Sequence, residues 1–135
     1  MDEKLINNRA PVLAQVLAGW RATGAPPTWA GLTAELGGVA ESLCLIGWPD
    51  GSDRAAVEWA GAQATIVYGA ALEGASAAAL TPGRSDGVGE ARHAQRTGRP
   101  FTVEDTLGDG KRIARLYLPL ADTSPAVACA VARLD

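Results

Sequence analysis

Leu13, Val16, Leu17 and Trp20 recur at the i, i+3, i+4, i+7 spacing of one helical face. Pro11 suits a first helical turn, where its missing N–H is no loss, and Gly24 suits the position just past a helix end. Pro26-Pro27 then forbids continuation. The pattern predicts an amphipathic helix over residues 11–23, preceded by a shorter Leu5/Ile6 segment. A stripe of this kind packs on its own domain or pairs with a second copy, and the sequence supports both equally. On the second reading Leu13, Val16, Leu17 and Trp20 form an interface, and Trp20→Glu separates the copies while the domain stays folded.

Residues 28–40 carry no clear period. Strand signals follow. Residues 41–49, ESLCLIGWP, are aliphatic and of strand length. Residues 54–60, RAAVEWA, alternate, with Val57 and Trp59 opposite Glu58. Between them Asp50-Gly51-Ser52-Asp53 supplies the Asp-Gly pair of a hairpin turn. Residues 61–98 break into short helical pieces at Gly61, Gly69, Gly74, Gly83, Gly87 and Gly89, the last piece running from about Gly87 to a stop at Gly98. Three more strand candidates close the chain. Residues 99–106 place Phe101 and Val103 on one face. Residues 111–121 group Leu116, Leu118 and Leu120 opposite Arg115 and Tyr117. Residues 125–134 alternate Val127, Cys129 and Val131 with alanines. Leu107-Gly108-Asp109-Gly110 and Asp122-Thr123-Ser124 supply the turns between them.

The order is helix, two strands, a patch of short helices, then three strands. It predicts an α+β domain with a five-stranded antiparallel sheet and short crossover helices. The expected division is an N-terminal helical cap at 1–24 and a core domain at 25–135. One domain also fits 135 residues.

Composition narrows the function classes. The chain is 47% hydrophobic and 20% charged, which excludes a disordered tail. A net charge of −3, with no basic run, argues against non-specific nucleic-acid binding. Cys44 and Cys129 stand in apolar surroundings at no metal-ligand spacing and read as small core residues. The first residues lack the charged-then-apolar order of a secretory signal, and no apolar stretch approaches the ~20 residues of a membrane span. A cytoplasmic protein is expected.

The glycine steps are informative as a set. In the run from Gly61 to Gly74 a Tyr68-Gly69 step precedes a Leu72-Glu73-Gly74 step, followed by Pro82 and Asp86. This pattern resembles the helical crossover of PAS domains. Residues 97–104, TGRPFTVE, and Asp109-Gly110-Lys111-Arg112 leading to Leu118-Pro119-Leu120-Ala121-Asp122 are similar to the closing strands of the same family. Trp20, Pro26 and Pro27 resemble the opening of a stand-alone alphaproteobacterial subgroup, from whose usual Asp-Pro segment residues 28–40 depart. The resemblance covers roughly residues 12–134. It implies signal sensing or regulation of a partner, such as a sensor histidine kinase or another PAS-containing protein, without catalysis of its own; a homodimer is expected on the second reading of the helical stripe. With no kinase, cyclase or DNA-binding segment in the sequence, the signal is expected to leave through a surface.

Specific chemistry is sparse. His93 is the only histidine, so neither a catalytic triad nor a histidine metal cluster can be assembled. By the resemblance it stands where haem-binding PAS domains carry an axial ligand, against the plainer reading of an exposed residue among Arg92, Gln95 and Arg96. No cofactor is otherwise expected beyond a small organic ligand. Glu104 and Asp105 are adjacent in a strand and so point apart, excluding a carboxylate dyad. Trp48, Trp59, Tyr68, His93, Phe101 and Leu118 are the candidate ligand-lining residues, with plain core packing as the competing role. The expectation is a non-enzymatic sensor or adaptor. The rival is a small cone-shaped α+β enzyme that transfers a proton through a pocket carboxylate.

Overall fold

The computed structural model describes residues 9–24, 26–49, 54–84 and 86–134. The Leu5/Ile6 segment and the Asp50–Asp53 turn lie outside them. Helix α1 (Pro11–Ala22) starts on proline and buries Leu13, Val16, Leu17, Gly19 and Trp20. The unassigned stretch holds a second helix, α2 (Trp29–Leu36). It is capped by the Thr28 hydroxyl, which accepts the Gly31 N–H at 3.1 Å, and ends at Gly37, whose φ is 57°. Only Leu32 of α2 is buried, so at this length no apolar period builds up in the sequence. A 3₁₀ turn over Gly37–Ser42 leads to β1 (Leu43–Gly47), two residues later than the aliphatic run suggests.

After β2 (Ala56–Ala60) the crossover consists of α3 (Ala62–Tyr68), a 3₁₀ turn at Ala77–Leu80 and α4 (Asp86–Thr97). The closing strands are β3 (Phe101–Thr106), β4 (Arg112–Pro119) and β5 (Ala126–Arg133). The sheet order is β2-β1-β5-β4-β3, antiparallel at every step. This is the α+β, five-stranded architecture expected, and it is consistent with a PAS-like fold. The β2 edge is covered by the crossover, since Val57 and Ala77 donate to Ala75 and Ala55 carbonyls at 2.8 and 2.9 Å.

Both sheet faces are covered, each over its own core. On the inner face, under α3 and α4, the register sets Cys44, Cys129, Tyr117 and Phe101 side by side across four strands. On the outer face Leu43, Leu116, Leu118, Ala128 and Ala130 meet the apolar stripe of α1 and Leu32 of α2. The many alanines of β4 and β5 leave room for the large side chains of α1. Trp20 anchors the contact by donating its indole N–H to the Pro119 carbonyl at 2.8 Å. Gly19 lets the two outer helices approach, because a Cβ there would meet Leu36 Cδ2 at 2.6 Å.

This arrangement corrects the interface assignment. Leu13, Val16, Leu17 and Trp20 are no more than 5% exposed within a single chain. The stripe covers its own sheet because that sheet has a second apolar face needing cover.

A second correction concerns β2. Its pairing with β1 slips between Leu45 and Ile46, where Leu45 opposes Trp59 and Ile46 opposes Val57. Glu58 is therefore an extra residue, a β-bulge. The bulge breaks the alternation of Val57 with Trp59, sending Val57 to the inner core and Trp59 to the outer one.

Candidate functional site

Strand alternation along β4 turns Ile113, Arg115 and Tyr117 toward the crossover. Arg115 has no exposed surface. Its guanidinium is held by a fork from α4: Nε to Glu90 Oε1 at 2.9 Å and Nη2 to Glu90 Oε2 at 3.0 Å. Nη1 donates to Asp105 Oδ2 at 2.9 Å and to the Leu80 carbonyl at 3.1 Å. The Tyr117 hydroxyl adds a 2.6 Å bond to Glu90 Oε1, and Tyr68 donates to the Leu80 carbonyl at 2.7 Å. Arg84 closes the outside of the cluster on Asp105 at 2.6 Å. A buried cation is tolerated where bidentate geometry and further bonds replace its hydration, and that condition is met here.

The electrostatics follow the geometry. Burial, the largest single influence, would lower the Arg115 pKa, but the Glu90 hydrogen bonds and the neighbouring Tyr117, Tyr68 and Glu90 groups together outweigh it and raise it, so the cation persists at every ordinary pH. Burial likewise pushes the Asp105 carboxyl up, yet hydrogen bonds from Arg84, Arg115 and the Thr106 N–H hold it below its ordinary 3.8. A carboxyl with a lowered folded-state pKa adds stability above the ordinary value and loses it as pH falls through the folded one. Thermal melts are therefore expected to drop below about pH 4, and Asp105→Asn to flatten that acid limb. An acid limb of unchanged steepness in the variant would remove Asp105 from the account. Burial pushes the Cys44 thiol up to about 12 and Cys129 well above the ordinary thiol value, so neither is a ready nucleophile.

The six candidate ligand-lining residues do not form one site. Trp59 and Leu118 belong to the outer core, on the far side of the sheet, because the bulge and the β4 alternation place them there. Tyr68 is committed to the Leu80 carbonyl. Trp48 lies at the sheet end with the Arg92 guanidinium 5.5 Å from its ring centroid. His93 and Phe101 do meet, at 4.7 Å between ring centroids, and Phe101 stacks on Tyr117 at 6.1 Å. His93 is nonetheless exposed, in a shallow surface concavity with Thr97, Arg99 and Pro100. The inward space beneath α4 is filled by Glu90, Arg115 and Tyr117, so these residues do not fit a haem. No group of three or more His, Cys, Asp or Glu side chains suited to a metal occurs among the described residues.

The larger opening is elsewhere. A cleft of about 630 Å³ lies at the corner of the outer face that α1 leaves uncovered. Trp29, Leu45 and Trp48 line it, together with Glu58 and the β4–β5 connection from Asp122 to Pro125. Trp29 is held edge-on to Trp59 at 5.5 Å, and its backbone N–H donates to Asp122 Oδ2 at 2.8 Å. Sequence reasoning named only Trp48 of this group. Glu58 reaches the cleft through the bulge, which no alternation pattern foretells. Arg115 did carry a signal, as a lone cation in the inward register of an otherwise apolar strand.

No family model, no curated protein and no solved structure matches this chain. No helix among the described residues is long and apolar enough to cross a membrane.

Proposed function

We propose that this chain is a PAS-like, cytoplasmic signalling adaptor that regulates a partner through protein contact. The partner class, a sensor histidine kinase or another PAS-containing regulator, comes from the family resemblance. One observation carries the reading: the space between sheet and crossover helices is filled by Arg115, Glu90, Asp105 and Tyr117, each bonded to another. A ligand sensor of this layout needs that space open, and opening it means breaking a buried ion pair. Contact through the surface needs no such rearrangement. A homodimer would have to use a surface other than the stripe of α1.

Two measurements test this. Native mass spectrometry of the purified full chain is expected to give the bare polypeptide mass. Excess mass that leaves on denaturation would overturn the ligand-free form of the proposal. Cross-linking in the source cell is expected to recover a regulatory protein of the named class. Recovery of metabolic enzymes alone would overturn the adaptor assignment.

A further inference from the structure

We propose that the outer-face cleft receives an arginine or lysine side chain projected by a basic segment of the partner protein; this rests on the adaptor reading above and names its contact. The cleft joins aromatic walls, Trp29 and Trp48, to two carboxylates, Glu58 and Asp122, and no Lys, Arg or His among the described residues lines it. Aromatic faces and carboxylates together select a cation with an apolar stem, and a long basic side chain has both parts. Leu45, Pro125 and Ala126 supply apolar surface for the stem.

The two acids have separate tasks. Asp122 is tied to the Trp29 N–H and holds the first turn of α2 against the β4–β5 connection. Glu58 is exposed and stands over Gly47, where the absent side chain makes room for its carboxylate. It is the ion-pairing group. Trp48 is 8% exposed, and its indole N–H finds no acceptor among the described residues. Guanidinium binding by this ring has an internal precedent, since Arg92 covers it from α4.

The volume, about 630 Å³, suits a side chain with its flanking backbone. Pro49, Thr123, Ser124 and Pro125 are exposed around it, so the cleft faces outward. An outward-facing cleft fits a residue presented by a larger surface better than an enclosed metabolite.

The test uses the full chain and three peptides of one frame, acetyl-Gly-Ala-X-Ala-Gly-amide, with X as arginine, citrulline or glutamate. Binding is read from the indole N–H resonances of the tryptophans. The arginine peptide is expected to shift the Trp29 and Trp48 signals saturably, and the citrulline and glutamate peptides to leave them in place. Glu58→Gln is expected to weaken the arginine peptide about fivefold at low salt, with an unchanged melting temperature because the side chain is exposed. Equal binding of arginine and citrulline, or an affinity indifferent to Glu58→Gln, would overturn the proposal. Failure here leaves the native mass and the cross-linked partner untouched, so the cleft and the adaptor reading fail separately.

Discussion

Replacing Glu90 by leucine is expected to lower the unfolding free energy by about 3–5 kcal/mol, the range for removing one partner of a buried ion pair. The substitution leaves Arg115, which has no exposed surface, with Asp105 and the Leu80 carbonyl as its acceptors among the described residues. It also takes the acceptor from the Tyr117 hydroxyl, which sits 2.6 Å from Glu90 Oε1. A guanidinium cannot shed its proton to escape, so the loss appears in stability. The informative comparison is the triple variant Glu90→Leu, Arg115→Met, Tyr117→Phe, which removes the Arg115–Glu90 pair together at similar volume and leaves Asp105 paired with Arg84. It is expected to melt well above the single variant, because apolar residues of similar shape often match or exceed a buried ion pair in stability. Chemical denaturation of both proteins decides it. A single variant as stable as the parent would mean that water reaches Arg115, and the closed interior behind the adaptor proposal would fall with it.

How far the fold could be read from the chain depends on what each element needs. Wherever large apolar residues repeat, as at Leu13, Val16, Leu17 and Trp20 or at Leu116 and Leu118, period and burial agree. Helix α2 escaped notice because eight residues with one buried leucine show no period. Its start was still legible in principle, since Thr28 follows Pro26-Pro27 and caps Gly31. The strand faces were readable in β4, where Arg115 and Tyr117 oppose the leucines, and unreadable in β2, where one bulged residue moves Trp59 to the other side. Site assembly was the least legible. Trp29, Glu58 and Asp122 come from three separate elements, and only the outer packing of α1 and α2 decides which corner of the sheet stays open. Periodicity reports which face is apolar, and it cannot report what covers that face. That gap explains why the α1 stripe was open to two readings.

Trp20→Glu separates those two readings, and the expected result is loss of the folded domain. Trp20 is 5% exposed, packs in the outer core and donates to the Pro119 carbonyl at 2.8 Å. Truncating a buried tryptophan costs about 3–5 kcal/mol, and glutamate adds the penalty of an unpaired carboxylate in an apolar layer. Set against a typical domain stability of about 5–15 kcal/mol, the sum leaves little or no folded protein at ambient temperature. Trp20→Phe retains most of the buried area and loses the indole hydrogen bond, so a deficit of about 1 kcal/mol is expected, with the fold intact. Circular dichroism melts and light scattering on both variants read the answer. A Trp20→Glu protein that melts like the parent but runs as a monomer where the parent runs as a dimer would show that α1 leaves the sheet to pair between copies. Graded destabilisation, small for phenylalanine and severe for glutamate at constant parent mass, assigns the helix to the core of its own chain. The outward cleft then remains the surface proposed for the partner.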